Sequence, residues 1–217
     1  MSAESSSKYH HGNLREALIQ SALSILAEGG AADLSVRAAA RRAGVSSGAP
    51  FRHFASREAL LAAVAEEALR RLSDQIESTV AAAHGDPLAR YEAVGMAYLA
   101  WAFANPAHFE VISTKGLFDL EEARGLREEN GKLIAATEKA LRDAADAGQI
   151  DGREMSSILI AGRALVYGLA RMHLDGHYPR WGVASEAVDP AAAAALRMFI
   201  KSIRLRPLSA GNRSAPR

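Results

Sequence analysis

Between Leu34 and Arg57 the chain carries five arginines, Arg37, Arg41, Arg42, Arg52 and Arg57, and no Asp or Glu. The whole chain is almost neutral, with a formal net charge of +1 from 26 Lys and Arg against 25 Asp and Glu, so this basic patch is local. Ser46, Ser47, Arg52 and His53 in the same stretch supply donors of the kind that reach phosphate oxygens and base edges. Serines that cap helix starts add backbone N–H groups aimed at anions. A solvated basic surface is the plainer alternative from charge alone.

The elements that must position these groups read as a helix-turn-helix from Ser35 to Phe54. Ser35 caps a short helix that turns Val36, Ala39, Ala40 and Ala43 inward, and Gly44 stops it. Val45 leads through a tight turn to a second short helix, capped by Ser46 or Ser47, with Pro50 confined to its first turn. In such a motif the second helix lies in the major groove while the first crosses the backbone. Upstream, Asn13 and Glu16 have capping-box spacing, and Leu14, Leu18, Ala22 and Ile25 recur at helical intervals until Gly29-Gly30. Downstream, Ser56 caps a helix carrying Leu60, Leu61, Val64 and Leu72, and His84-Gly85-Asp86-Pro87 reads as a linker.

The rest also reads as helix, so the predicted fold class is all-α. Aromatics are only 6%, alanine dominates many stretches, and no period-two strand pattern occurs. Predicted helices cover about residues 88–104, a short piece after Asn105-Pro106, a charged helix from Leu120 to Ala147, then Arg153 to Leu174 and a last helix through Ala192, Leu196, Phe199 and Ile203. The chain has no Cys, which excludes disulfides, thiolate metal sites and Cys nucleophiles. No apolar run is long enough to cross a bilayer, and a cytoplasmic location is expected. No phosphate-binding glycine loop, HExxH or GxSxG occurs, and His108, His173 and His177 lack carboxylates at ligand spacing. No enzyme activity, cofactor or metal is therefore expected.

Several separated words share one resemblance. Tyr9-His10-His11-Gly12-Asn13-Leu14-Arg15, Leu34-Ser35-Val36-Arg37, Ala43-Gly44-Val45-Ser46, Ala49-Pro50-Phe51-Arg52-His53-Phe54 and Ser56-Arg57-Glu58-Ala59-Leu60-Leu61 resemble, in order and spacing, the DNA-binding domain of TetR/AcrR-family transcription regulators. The resemblance implies a dimeric regulator, usually a repressor, that leaves operator DNA when a small molecule binds its C-terminal body. It implies DNA-facing positions for Ser35 and Arg37, a groove-facing turn at Ser47, Gly48 and Ala49, and backbone contacts for His53 and Arg57. Phe51 stands where the family usually has a tyrosine whose hydroxyl reaches phosphate.

The expected organisation is a disordered leader at 1–8 and a three-helix DNA-binding domain at 9–72. A larger helical bundle for ligand binding and dimerisation follows at 73–205, with a disordered tail at 206–217. The body resembles the family's Trp-His-Gly subgroup at Ala164–Ala170, although Arg163 and Tyr167 replace the Trp and His and only Gly168 is kept. One helix-turn-helix reads few bases, so a homodimer on near-palindromic double-stranded operator DNA is expected, joined through the last two helices. The helix from Leu88 to Ala104 is apolar on two faces, and a bend follows at Asn105-Pro106. It supplies part of a candidate effector site of Tyr98, Trp101, Phe109, Phe118, Arg163 and Tyr167. A ligand-independent regulator, or a helical interaction module without a DNA role, are the competing readings.

Overall fold

All regular structure among the described residues is helical. In this computed structural model those residues are 5–46, 48–118 and 123–205, with side chains described from residue 14 onward. The helices are α1 (Ser5–Gly29), α2 (Val36–Arg42), α3 (Arg57–Ala82), α4 (Pro87–Ala104), α5 (Pro106–Ser113), α6 (Arg124–Asp146), α7 (Met155–Leu174) and α8 (Val188–Ile203). None is long and apolar enough to cross a membrane.

Most boundaries follow from side chains legible in the sequence. The Ser56 hydroxyl accepts the Ala59 N–H at 3.1 Å and Asp86 accepts the Ala89 N–H at 2.9 Å, capping α3 and α4. Asn105-Pro106 ends α4 and starts α5, with proline at its first position where no N–H is needed. Three expectations are corrected. Helix α1 already runs from Ser5, since no proline or cap before Asn13 stops it, so the leader is helical there. Asn13 is thus inside the helix, and Glu16 accepts a hydrogen bond from Gln20 at 2.7 Å instead of closing a capping box. The charged helix begins at Arg124; Leu120 and the tail at 206–217 lie outside the described residues.

The chain packs as two compact units. The first comprises Met1–Gln75 and Ala100–Ile134. Its core joins Leu18, Ile19, Ala22 and Leu26 of α1 with Leu60, Leu61 and Val64 of α3, Phe109 and Val111 of α5, and Leu126 of α6. On α1 and α3 these apolar groups recur at spacings of three and four, which puts one face of each helix into this core.

The second unit comprises Ile76–Leu99 and Ala135–Arg217. Helix α7 buries Ile158, Gly162, Val166 and Ala170, and α8 buries Val188, Ala192, Leu196 and Ile200. Both are strict every-fourth-residue ridges, the pattern by which two helices interleave closely. Leu165, Leu169, Met172, Phe199 and Ile203 flank these ridges half-buried. Two glycines set the spacing: a Cβ on Gly95 would come 2.7 Å from Leu196, and one on Gly162 would collide with the Tyr91 hydroxyl. At one end Arg204 pairs with Asp86 at 2.9 Å, which holds that carboxyl below the ordinary aspartate range. Gln149 accepts the N–H groups of Leu88 at 2.9 Å and Leu205 at 2.7 Å.

Candidate nucleic-acid interface

The first functional segment opens at Ser35, whose hydroxyl accepts the Ala38 N–H at 3.0 Å and so fixes the start of α2. Val36, Ala39 and Ala40 face the core, leaving Arg37, Arg41 and Arg42 on the outside. Gly44 ends the helix with φ 69°, a left-handed conformation that costs glycine nothing. Two backbone bonds close the end around it, Gly44 N–H to the Arg41 carbonyl at 3.2 Å and Val45 N–H to the Ala40 carbonyl at 3.1 Å. That pair is a Schellman motif, and it satisfies two carbonyls that α2 would otherwise leave open.

The predicted second helix is not an α-helix. Residues Pro50–Arg52 form a single 3₁₀ turn between an irregular entry and α3. The cause is Pro50, which has no N–H to give the Ser46 carbonyl; that carbonyl takes the Ala49 N–H at 3.2 Å instead. The Pro50 carbonyl then accepts both His53 and Phe54 N–H groups at 2.9 Å. Pro50 and Phe54 are buried as anchors, and the Arg15 guanidinium lies 5.7 Å from the centre of the Phe54 ring. The same turn leaves Ser46, Gly48, Phe51 and Arg52 exposed, with Ala49 and His53 half-buried. Ser47 lies outside the described residues.

The arginines divide into two groups. Arg42 pairs with Glu28 of α1 at 2.5 Å. Arg37, Arg41 and Arg52 are exposed, and none of the described carboxylates is in ion-pair reach of them. Arg57, for which the resemblance implies a DNA-backbone contact, is half-buried. Its guanidinium donates to the Leu34 carbonyl at 3.0 Å and to the Ala31 carbonyl at 2.6 Å, clipping the approach to α2 onto the start of α3. The Leu34 carbonyl gains its donor from Arg57, and the Ala31 carbonyl accepts from Arg57 in addition to the Leu34 N–H at 3.3 Å.

Sequence comparison agrees with this geometry. A family profile for bacterial regulatory proteins of the tetR family matches residues 18–64. A second, for the tetracyclin repressor-like C-terminal domain, matches residues 91–199. The chain belongs to the TetR family. It is accordingly a DNA-binding transcription regulator, and the helix-turn-helix reading of its N-terminal segment stands on the family as well as the fold. Among solved structures, this TetR-family chain is similar to a protein of unknown function from Rhodococcus sp. RHA1. The two are 30% identical, the match covers 91% of this chain and 98% of that one, and the TM-score is 0.75. It shares its fold with a TetR/AcrR-family transcriptional regulator from Thermobifida fusca YX-ER1, at 17% identity over 89% of this chain and 100% of the other, with a TM-score of 0.67. It also shares it with the transcriptional regulator FadR from Bacillus subtilis, solved in complex with stearoyl-CoA, at 14% identity over 87% and 98% of the two chains and a TM-score of 0.70. No curated protein matches the sequence.

In the body of this TetR-family regulator the predicted effector residues fall into two groups. Tyr98, Arg163 and Tyr167 come together in the second unit, with the Arg163 guanidinium over both tyrosine rings. Trp101, Phe109 and Phe118 belong to the first unit, where Trp101 and Phe109 are buried and Phe118 is half-buried. Sequence reading passed over His108 because it lacks paired carboxylates at ligand spacing. In the fold it meets α3: His108 Nε2 is 3.4 Å from Arg71, Trp101 packs edge-on to its ring, and Glu67 holds Arg71 at 2.6 Å. Only tertiary packing brings these together, so no local spacing could have flagged them.

Burial pushes His108 below the ordinary histidine value, Arg71 adds to that, and Glu67 opposes it. As pH falls, the unfolded chain therefore takes up this proton before the folded chain does. Its contribution to stability is full above about pH 6.5 and is lost progressively below. Between about pH 7 and about pH 5 the melting temperature of wild type should fall more steeply than that of His108→Gln. Equal slopes in the two proteins would show that His108 has no part in the acid response.

Proposed function

We propose that this regulator is a repressor that holds a near-palindromic operator as a homodimer and releases it when a small organic molecule occupies its body. The observation that carries the DNA half is the set of Arg37, Arg41 and Arg52, exposed and without described carboxylate partners, two of them on α2 and one on the 3₁₀ turn that follows. Such groups gain most from phosphate, because no internal ion pair has to be broken first. Ser46, Ser47, Gly48 and Ala49 are small enough to let the turn approach base edges. Phe51, which is 44% exposed, offers an apolar contact suited to a thymine methyl group where a tyrosine would have offered a hydroxyl. His53 adds a backbone contact, while Arg57 acts by holding the head in shape.

Dimerisation is supported by the outer faces of α7 and α8. Ile160 and Met198 are 72% and 71% exposed, and small neighbours Ala161, Ala164 and Ala194 are exposed beside them. Large apolar groups on solvent-facing helices of a bundle suit a four-helix interface made by two copies. Effector release is supported by Tyr98, Arg163 and Tyr167, which place a cation among aromatic rings, and by the Bacillus subtilis regulator of the same fold that was solved with stearoyl-CoA.

Gel retardation on DNA from upstream of the chain's own gene tests the reading. Wild type should retard a specific fragment in the presence of competitor DNA. Arg37→Ala should weaken retention across all sequences and flatten the log–log salt dependence by about one charge. Retention by Arg37→Ala equal to wild type at every salt concentration would overturn the assignment of this face to DNA.

A further inference from the structure

Helix α7 carries two arginines with opposite surroundings. Arg171 pairs with Asp175 at 2.9 Å. Arg163, earlier on the same helix, lies over two phenol rings, 4.9 Å from the centre of Tyr98 and 5.6 Å from that of Tyr167. No described carboxylate is within ion-pair reach of Arg163, and α7 contains no Asp or Glu. Tyr98 is buried while the Arg163 residue is exposed, so the rings fix the guanidinium from the inside and its outer side is open in the single chain, on the face of α7 that also carries Ile160 and Ala164 of the proposed interface.

That arrangement has a chemical direction. A guanidinium has five N–H donors at its edges; Arg163 gives one to the Tyr98 hydroxyl, and the others are left to donate. Those edges form a planar fork that fits the two oxygens of a carboxylate with parallel hydrogen bonds. The rings limit the rotamers of the side chain, so less freedom is lost when an anion docks. They also present apolar surface beside the charge. A single positive charge matches a monoanion; a doubly charged phosphate ester would be only half neutralised. A cationic ligand would be repelled, and a neutral one would leave the charged donors unmatched.

We infer that Arg163, held on Tyr98 and Tyr167, anchors the carboxylate of the effector, which is an organic acid with an apolar body. This rests on the reading of the body as effector-binding, and it narrows the effector to one chemical class. The charge selects the headgroup, and the tyrosine rings select against a fully polar acid.

The test uses the full-length protein and four probes with one carbon skeleton: 4-phenylbutyrate, 4-phenylbutan-1-ol, 4-phenylbutylamine and 4-phenylbutyl phosphate. Calorimetric titration at low salt should give the carboxylate an affinity at least about tenfold above the alcohol, the scale of one charge-assisted hydrogen-bonded pair. The amine should not bind, and the phosphate should bind no more tightly than the carboxylate. Arg163→Gln should abolish the preference for acid over alcohol and leave alcohol binding unchanged, while Arg163→Lys should retain part of it. Equal affinity for acid and alcohol, a preference that survives Arg163→Gln, tighter binding of the phosphate, or no binding of the acid at millimolar concentration would each overturn the inference. Sedimentation of Arg163→Gln provides a further check: conversion to monomer would assign the guanidinium to an interface between copies instead. If that variant fails to fold, the wild-type comparison and Arg163→Lys decide. Operator retention is measured separately in the same samples. An acid that binds through Arg163 without loosening the operator leaves the anchor standing and overturns the release mechanism; release by a neutral compound alone does the reverse.

Discussion

Arg57→Ala should lower the melting temperature by about 4–8 °C while leaving the salt slope of operator binding almost unchanged. The side chain donates to two backbone carbonyls, at Leu34 and Ala31, the second of which also accepts the Leu34 N–H at 3.3 Å. Hydrogen bonds to a charged donor stabilise by about 1.5–3 kcal/mol each when well shielded. Arg57 remains 34% exposed at its side chain, so solvent screening reduces the pair to about 2 kcal/mol in total. The contrast with Arg37→Ala separates two roles that both weaken DNA binding. Loss of the clip reduces stability and affinity together, whereas loss of a phosphate contact flattens the salt slope with little change in melting. Scanning calorimetry alongside retardation at several salt concentrations distinguishes them. A variant that melts like wild type and loses about one charge from the slope would return Arg57 to the phosphate backbone.

The largest functional effect is expected from Met198→Asp. Met198 is 71% exposed on α8, so a carboxylate there meets water in the single chain and an apolar partner face in a dimer. The variant should fold with nearly wild-type helix content and sediment as a monomer, and operator affinity should fall by roughly 10³-fold or more as one of two half-site contacts is lost. Leu196→Asp makes the comparison informative. Leu196 is 2% exposed and packs on Gly95 and its neighbours within the same unit, so a charge there should disrupt the fold itself. A dimeric Met198→Asp with full operator affinity would exclude this face of α8 as the interface.

The helical framework was legible because its signals are local. Ser35, Gly44, Ser56, Asp86 and Asn105-Pro106 act on backbone groups within a turn of themselves, and each marks a boundary in the structure. The basic stretch was equally plain, as a count of side chains. What stayed hidden depends on distance in the chain. The clip by Arg57 closes on carbonyls 23 and 26 residues away, and His108 meets an arginine 37 residues away. Which faces of α7 and α8 pack inward within the unit was not legible, because a spacing of three or four fits several faces of a helix and packing chooses among them. Gly95 and Gly162 decide it here by admitting Leu196 and Tyr91. The 3₁₀ turn at Pro50–Arg52 was half visible. Proline was read as limiting where a helix starts, but not as preventing the helix altogether.

The Schellman closure at Gly44, the two serine caps and the Arg57 clip together mean that the head is already assembled when it meets DNA. Its chain entropy is lost during folding and not at the moment of contact. A reading segment that ordered itself on the operator would compact there, with a large negative heat-capacity change and strong compensation between enthalpy and entropy. With Ala49 to Phe54 already hydrogen-bonded, encounter on the proposed reading resembles the docking of a rigid body, steered by Arg37, Arg41 and Arg52. Complexes of that kind form quickly on almost any duplex and separate right from wrong sequences chiefly by how long they last.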